Sequence, residues 1–141
     1  MIGIDDILIT QKGDFITGLS FEKNTHKVLS PLLREAYRQV ESYLKGDLRV
    51  FDLPLYLEGT DFQRGVWGEM QKIPYGTTVT YKDLGVSLNT KGFRAIGSAC
   101  GKNPIPIIIP CHRVVAVSGI GGFSCGIDIK KQLMDIEKIC Y

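Results

Sequence analysis

Residues 80–103, with the sequence TYKDLGVSLNTKGFRAIGSACGKN, predict two short helices joined by a turn. Thr80 followed three residues later by Asp83 forms a capping-box pattern, which indicates the start of the first helix. Residues 88–92 are typical of a turn, and a second helix is expected over residues 93–102. A helix-turn-helix binds DNA in many proteins and is a packing unit in many others. The pattern therefore predicts the local fold but leaves both uses open.

The second of these helices has two different faces at helical spacing. One face is apolar or small and is expected to be buried: Phe93, Ile96, Gly97 and Cys100. The opposite face carries two cations with small residues between them: Arg94, Ala95, Ser98 and Lys102. Small side chains let a helix backbone approach the floor of a DNA groove, while cations contact phosphates. Taken alone, these four residues are better explained as an ordinary solvated helix surface.

The first 50 residues predict a hairpin followed by a helix. Strand-like segments at 7–10 and 15–21 flank a turn-rich stretch, residues 11–14. Ser30 and Pro31 suit the start of a helix. Apolar residues then follow at helical spacing: Leu33, Tyr37, Val40 and Leu44.

Two further helical patterns lie in the second half of the chain. One begins at Thr60 or Asp61, and a final helix is expected to be capped by Asp128. We therefore expect an α/β fold in two domains. Residues 1–55 would form a small supporting domain with a short antiparallel sheet and a helix. Residues 56–141 would form a mostly helical domain that contains the helix-turn-helix.

Charge is unevenly distributed along the chain, although the net charge is only +2. Residues 1–59 contain 7 Lys or Arg and 9 Asp or Glu, a net charge of −2. Residues 60–141 contain 10 Lys or Arg and 6 Asp or Glu, a net charge of +4. A mildly basic C-terminal part is compatible with an anionic partner such as DNA, but chance scatter explains the charges alone at least as well.

Neither a membrane-spanning segment nor a metal site is expected. The longest apolar stretch, residues 105–109, contains Pro106 and is too short to cross a bilayer. No basic and then apolar leader is visible, so a cytoplasmic protein is expected. The two histidines have no metal-ligand spacing, and the cysteines form no CxxC pair, which favours free thiols over zinc ligands. The four cysteines are Cys100, Cys111, Cys125 and Cys140.

Cys111 is the residue best suited to nucleophilic chemistry. It follows residues 105–109, which are expected to form a buried strand or extended segment, and Pro110 restricts the backbone. A free thiol has a pKa of about 8.5, and the adjacent His112 and Arg113 could favour the thiolate. Adjacent side chains of a strand point to opposite faces, so His112 would reach the thiol only through a turn or a bridging water. A buried structural cysteine is about equally consistent with these residues.

The segment Pro110-Cys111-His112-Arg113-Val114 resembles the signature of the O6-alkylguanine-DNA alkyltransferases. Further segments match that family in order and spacing: Phe62-Gln63, Val66-Trp67, Ile73-Pro74-Tyr75-Gly76-Thr77-Thr78, Tyr81, Arg94-Ala95, Asn103-Pro104 and a Gly-rich loop with Ser124. The resemblance covers residues 51–141. It implies DNA repair by direct reversal, in which one alkyl group moves irreversibly from O6 of guanine in double-stranded DNA to one cysteine. No cofactor or metal is implied, and a monomer is expected.

The resemblance also implies roles for the reacting residues. Cys111 would accept the alkyl group, and His112 would act on Cys111 through a bridging water. Glu137, on the last helix, would orient His112. Tyr81 would supply a proton to the departing guanine and help to rotate the nucleotide out of the duplex. Asn103 would be a hinge between the recognition helix and the active-site segment.

The remaining implied roles concern contact with DNA. Arg94 would fill the gap that the rotated nucleotide leaves in the duplex. The other expected DNA contacts are Ala95, Ser98, Lys102 and Arg113. The guanine pocket would be lined by Pro106, Val114, Phe123 and Ser124, with Val114 contributing its backbone carbonyl and Ser124 its backbone N–H.

Three positions depart from the family pattern, and three other functions compete with alkyl transfer. Phe123 replaces a frequent tyrosine, Cys125 replaces a frequent glycine and is expected to narrow the pocket, and Cys100 replaces a larger apolar residue. The competing functions are a lesion sensor without chemistry, a cysteine hydrolase that turns over repeatedly, and a helix-turn-helix regulator in which Cys111 is structural. The combination of Cys111, His112 and Glu137 argues against the sensor.

Overall fold

The N-terminal part of the chain is a β-hairpin packed against one helix in the computed structural model, which describes residues 1–141. Strands β1 (Leu8–Lys12) and β2 (Phe15–Ser20) pair antiparallel, with one register irregularity in the middle of β1. Helix α1 (Pro31–Leu44) follows. It begins as predicted, because the Ser30 side chain accepts a hydrogen bond from the backbone N–H of Leu33.

The C-terminal part contains four helices and a two-stranded parallel sheet. The helices are α2 (Asp61–Gln71), α3 (Tyr81–Ser87), α4 (Phe93–Gly101) and α5 (Ile127–Ile136). The sheet joins β3 (Val79–Thr80) to β4 (Val114–Val115) and was not expected from the sequence. Capping boxes that start at Thr60 and Thr80 fix the N-terminal ends of α2 and α3. The mixed α/β fold class is confirmed.

Helices α3 and α4 form the predicted helix-turn-helix. They pack closely at Gly85, where an added Cβ would lie 2.5 Å from the ring of Phe93 and 2.9 Å from the carbonyl oxygen of Thr90. Helix α2 supports α4 from the inside, because the indole N–H of Trp67 donates to the carbonyl oxygen of Ala99 over 2.8 Å. Helix α4, the second helix of the pair and called the recognition helix below, is therefore held on one side by α3 and on the other by α2.

Three local expectations were wrong. The apolar run at residues 105–109 is buried but forms a tight turn rather than a strand, with Ile107 at a φ of 74°. Helix α5 begins after Gly126, whose φ of 106° turns the chain, and not after Asp128. Phe93 is 41% exposed, because it lies at the start of α4 over α3 rather than on the buried stripe. Ala99 takes part in that stripe instead.

One hydrophobic core extends through both parts of the chain. It contains residues from β1, β2 and α1 together with residues from α2, α4 and the 105–109 turn. The division into two domains between residues 55 and 56 stays a prediction, and the hydrophobic core is continuous across that position. None of the helices is both long enough and apolar enough to span a lipid bilayer.

Candidate active site

Cys111 opens onto a cavity of about 350 Å³ behind the recognition helix. The cavity is lined by α3, α4, the cysteine segment and the Gly-rich loop, through Tyr81, Gly97, Cys100, Gly101, Cys111, Gly122, Phe123 and Ser124. Two of the four predicted pocket residues, Phe123 and Ser124, are therefore at the cavity wall. Pro106 and Val114 are buried and do not line it. Cys111 as a whole residue is 6% exposed, and it forms part of the wall of this cavity.

Burial keeps the Cys111 thiol protonated. It raises the pKa of Cys111 to about 12, although a hydrogen bond with the Asn103 side chain acts in the opposite direction. The expectation that His112 and Arg113 favour the resting thiolate was therefore wrong. Arg113 is directed away from the sulfur, and His112 is itself too deeply buried to be readily charged. A proton must leave Cys111 during any reaction in which its sulfur is the nucleophile.

Asn103 connects the end of α4 to the turn that precedes Cys111. Its amide nitrogen donates to the carbonyl oxygen of Ile109 over 2.8 Å, and its amide oxygen accepts from the backbone N–H of Ile105 over 2.9 Å. Both ends of the 105–109 turn are thus held by one side chain. This placement agrees with the expected connection between the recognition helix and the cysteine segment.

Cys111–Arg113 forms a short 3-10 turn, not a strand, and this turn changes where the neighbours of Cys111 point. The carboxylate of Glu137 receives hydrogen bonds from His112 Nε2 and, at 2.8 Å, from Arg113 Nε. The backbone N–H of Gly76 donates to Glu137 Oε1 over 2.9 Å. Glu137 is in this position because it directly follows the last turn of α5.

Arg113 is not available for DNA contact, which corrects the role expected for it. Only 6% of the residue is exposed. One terminal nitrogen of its guanidinium, Nη1, donates a hydrogen bond to the carbonyl oxygen of Ile73 over 2.7 Å. Its guanidinium also lies 5.6 Å from the ring centroid of Tyr75. A buried guanidinium needs a carboxylate partner, and Glu137 supplies it. Arg113 therefore supports the interior of the site.

The protonation states of His112 and Glu137 follow from their surroundings. Burial opposes ionisation of Glu137, but hydrogen bonds from His112 and Arg113 outweigh it and lower the pKa of the carboxyl group to about 2. Burial lowers the pKa of His112 despite its contact with Glu137. A carboxylate only accepts, so the hydrogen between the two groups lies on Nε2 of a neutral imidazole. Nδ1 is then a proton acceptor, and it makes no hydrogen bond to the protein.

Two buried residues at the site, Tyr43 and Lys130, were not predicted from the sequence. The hydroxyl of Tyr43, on α1, donates to Glu137 Oε2 over 2.5 Å. The ammonium of Lys130, on α5, donates to the carbonyl oxygens of Val114, Ile120 and Gly122 at 2.7, 2.7 and 2.9 Å. Lys130 thereby fastens the loop after β4 to α5. The spacing of Tyr43, one helical turn after the apolar Val40, could have indicated that Tyr43 is buried. The burial of Lys130 could not be predicted, because lysines ordinarily lie at the surface.

Tyr81, at the start of α3, contributes its ring to the cavity wall. Burial raises the pKa of its phenol, so the hydroxyl is a hydrogen-bond donor at neutral pH. The ring is approached closely by Gly121, where an added Cβ would lie 3.2 Å from it and 3.0 Å from the backbone nitrogen of Ala116. Gly121 has a φ of 77°, so both its conformation and its proximity to Tyr81 favour glycine.

The outer face of α4, defined as Arg94, Ala95, Ser98 and Lys102, is exposed to solvent throughout. Lys82 and Lys91, on α3 and in the turn, are also exposed. The opposite side of α4 supplies Gly97, Cys100 and Gly101 to the cavity. A single helix of nine residues therefore separates an exposed basic surface from the cavity that contains Cys111.

The fold and the site together define a helix-turn-helix protein whose recognition helix forms one wall of a cavity with a buried thiol. Residues 61–139 match the family model described as 6-O-methylguanine DNA methyltransferase, DNA binding domain. The chain is 40% identical to a methylated-DNA–protein-cysteine methyltransferase of Methanosarcina acetivorans, over 97% of this chain and 94% of that protein. It is 42% identical to the Methanosarcina barkeri protein of the same name, over 96% and 92% of the two chains.

A solved structure supports the same family assignment. The Mycobacterium tuberculosis OGT in complex with DNA superposes with a TM-score of 0.83 at 38% identity, covering 92% of this chain and 84% of that one. The chain belongs to the 6-O-methylguanine DNA methyltransferase family. The resemblance inferred from the sequence is thereby confirmed at the level of the family.

Proposed function

We propose that this protein repairs DNA by moving an alkyl group, typically methyl, from O6 of guanine to the sulfur of Cys111. The observation that carries the proposal is that Cys111 lies at the wall of a cavity and next in sequence to the His112–Glu137 pair. Membership of the methyltransferase family supports the reaction type. Each protein molecule reacts once, because the thioether that forms on Cys111 is not readily hydrolysed.

The damaged nucleotide enters the cavity after rotation out of the duplex. O6 of guanine faces the interior of double-stranded DNA, so a buried sulfur cannot reach it while the base is stacked. The cavity volume of about 350 Å³ lies within the range of about 300–1,000 Å³ that is usual for small-molecule sites. Arg94, exposed on the outer face of α4, occupies the gap left in the base stack.

The chemistry begins with transfer of the Cys111 proton to Nδ1 of His112 through a water molecule. Nδ1 accepts this proton because its ring hydrogen is held on Nε2 by Glu137. The sulfur attacks the alkyl carbon, the carbon–O6 bond breaks, and its electron pair stays with the purine. Tyr81 donates a hydrogen bond to the purine, which makes guanine a better leaving group. Tyr81 supplies one proton to the departing purine and recovers it, through water, from the imidazolium of His112. The net reaction thus converts a thiol and an alkylated guanine into a thioether and guanine.

The base is held at the cavity wall by a backbone group. The backbone N–H of Ser124, a residue of that wall, donates to the purine. Asn103 keeps the cysteine segment in register with α4.

Binding to double-stranded DNA is mainly independent of sequence. The small side chains of Ala95 and Ser98 let the backbone of α4 approach the groove, and Lys102 contacts phosphate. Repair has to accept any flanking sequence, so contacts to phosphate, sugar and groove shape carry most of the affinity. Affinity therefore falls as salt concentration rises.

The test is mass spectrometry of the protein after incubation with a duplex that carries O6-methylguanine. We expect one methyl group per chain, located on the peptide that contains Cys111. Cys111→Ser should take up none, whereas Cys100→Ser, which alters another thiol of the same cavity, should still be methylated. Methylation of a different cysteine, release of many product molecules per protein, or no transfer by folded protein would each contradict the proposal.

A further inference from the structure

Tyr43 brings the N-terminal part of the chain into direct contact with the pair of residues behind Cys111. It is fully buried on α1, and its hydroxyl lies 2.5 Å from Glu137 Oε2 and 3.2 Å from His112 Nε2. These contacts join residues 94 and 69 positions apart in the sequence. The proposed chemistry of His112 and Glu137 makes no use of Tyr43.

The hydrogen atoms in this contact can be assigned from the chemistry of the three groups. Burial and the negative charge of Glu137 raise the pKa of the Tyr43 phenol, so it keeps its single hydrogen. That hydrogen points to Glu137, since a carboxylate can only accept. The lone pairs of the phenol oxygen are then available to the N–H at Nε2 of His112. The Nε2 hydrogen therefore has two acceptors, one on Glu137 and one on Tyr43.

We propose that Tyr43 is a positioning residue for the alkyl transfer, because its hydroxyl holds the His112 hydrogen on Nε2 and leaves Nδ1 as the proton acceptor. This inference rests on the proposed function. The hydroxyl dipole has its negative end at His112 and its positive end at Glu137. This orientation stabilises the imidazolium that forms when the Cys111 proton arrives and the carboxylate that faces it.

The ring of Tyr43 has a separate, structural role. It packs 5.5 Å from the ring of Phe51 and 6.2 Å from that of Tyr75, measured between centroids. Phenylalanine at position 43 keeps these contacts and removes only the hydroxyl. Arg113 and the backbone of Gly76 still bind Glu137 in that variant, so the carboxylate stays ionised. The change is therefore confined to the hydrogen bonds of the Tyr43 hydroxyl with Glu137 and His112.

Tyr37 provides a matched control on the same helix. It is also buried, and its hydroxyl accepts a hydrogen bond from the backbone N–H of Ile9 over 2.9 Å, in the hairpin and not at the site. Tyr37→Phe thus removes one buried hydrogen bond of α1, and Tyr43→Phe removes the two that its hydroxyl makes with Glu137 and His112. A structural role alone predicts the same outcome for both variants.

The experiment combines single-turnover methyl transfer from an O6-methylguanine duplex with nitrogen NMR of the imidazole rings in the DNA-free protein. The chain has two histidines, so the resonances of only two imidazole rings, those of His26 and His112, have to be assigned. We expect Tyr43→Phe to slow transfer about 3- to 10-fold, the loss that corresponds to one net hydrogen bond. We also expect it to shift the Nε2 and Nδ1 resonances of His112 towards mixed tautomers. Tyr37→Phe should leave the resonances of His112 unchanged and the transfer rate within twofold. A twofold change in rate corresponds to about 0.4 kcal/mol in activation free energy.

Equal rates and unchanged His112 resonances in Tyr43→Phe would overturn the inference, as would equal effects of the two variants. If Tyr43→Phe does not fold, 3-fluorotyrosine at position 43 keeps the hydroxyl but weakens it as an acceptor. The His112 resonances should then shift, and unchanged resonances would again overturn the inference. The NMR spectra need no DNA, so they report on Tyr43 even if the wild-type protein transfers no alkyl group. That last result would contradict the proposed function instead.

Discussion

The buried polar cluster, defined as Tyr43, His112, Arg113 and Glu137, contrasts with the outer face of α4. Every charged group of the cluster has a partner inside the protein, and Glu137 alone accepts from His112, Tyr43, Arg113 and the backbone of Gly76. Arg94 and Lys102, on the outer face of α4, make no salt bridge within the chain and are exposed. Each region contains an arginine, Arg113 in the cluster and Arg94 on the outer face, yet only the outer face is available to a partner.

The contrast shows how the molecule divides its polar residues between chemistry and binding. Groups that hold and move a proton are desolvated and fixed before any substrate arrives, which makes their interactions strong and costly to disturb. Groups proposed to contact DNA stay hydrated and adaptable, which lets them meet any sequence. Changes in the cluster should therefore affect folding and chemistry, whereas changes on the outer face should affect only DNA binding and rotation of the nucleotide out of the duplex.

The largest effect is expected for Glu137→Gln. It leaves the buried guanidinium of Arg113 without a countercharge, which typically costs about 3–5 kcal/mol of stability. Glu69→Gln is a matched control, because Glu69 pairs with Lys72 at the surface and such pairs contribute about 0–1 kcal/mol. Urea unfolding of both variants measures the difference. Similar losses in the two variants would mean that the cluster is not the stabilising unit described above.

The second largest effect is expected from acid, which should reduce the stability that the cluster contributes. The pKa of Glu137 is about 2 in the folded protein, below its ordinary value of 4.5, so the folded state binds fewer protons between these pH values. The stability that Glu137 contributes is present above pH 4.5 and is lost as the pH falls towards 2, by on the order of 3 kcal/mol. Urea unfolding at a series of pH values should give a shallower acid slope for Glu137→Gln than for the wild type. Parallel slopes would rule out this contribution.

A smaller and different effect is expected for Arg94→Ala. Loss of the side chain that fills the base stack should slow transfer from duplex DNA about 10- to 100-fold, since everting a base costs a few kcal/mol. Transfer from free O6-methylguanine base should not change, and neither should the urea midpoint of the exposed variant. Single-turnover assays with both substrates provide the comparison. Equal slowing on both substrates would exclude a role in nucleotide rotation.

The smallest effect is expected for Lys102→Ala. Removal of one phosphate contact should reduce the slope of log affinity against log salt concentration by about 1, with a loss of only a few-fold at moderate salt. Lys23→Ala, which removes an exposed lysine near the hairpin, should leave the slope unchanged. Fluorescence anisotropy with an undamaged duplex measures both. An unchanged slope for Lys102→Ala would place DNA on another surface.

Much of the helical framework was predictable because its signals are local. Ser30, Thr60 and Thr80 cap their helices through residues three positions away, so a short stretch of sequence contains both partners of each contact. The adjacency of Cys111 and His112 was equally visible. The turn at residues 105–109 was not, because an apolar run fits a buried strand or a buried turn, and Asn103 decides between them through two side-chain hydrogen bonds.

The direction of Arg113 shows the other limit of the sequence. An arginine beside a reactive cysteine in a basic region is compatible with phosphate contact, and nothing within a few residues of it argues otherwise. The 3-10 turn of Cys111–Arg113 directs the guanidinium inwards, and Glu137 stabilises it there. Lys130 was missed for the same reason, since its three carbonyl partners exist only once the loop has folded over α5.

The sequence by itself determined the starts of α1, α2 and α3 and the helix-turn-helix, since these rest on contacts between near neighbours, and the family resemblance singled out Cys111. Tertiary structure alone decided which polar side chains stand behind that cysteine. Gly76 and Tyr43 meet Glu137 across 61 and 94 positions of the chain, and such partners are selected by burial, where an unpaired charge is too costly to persist.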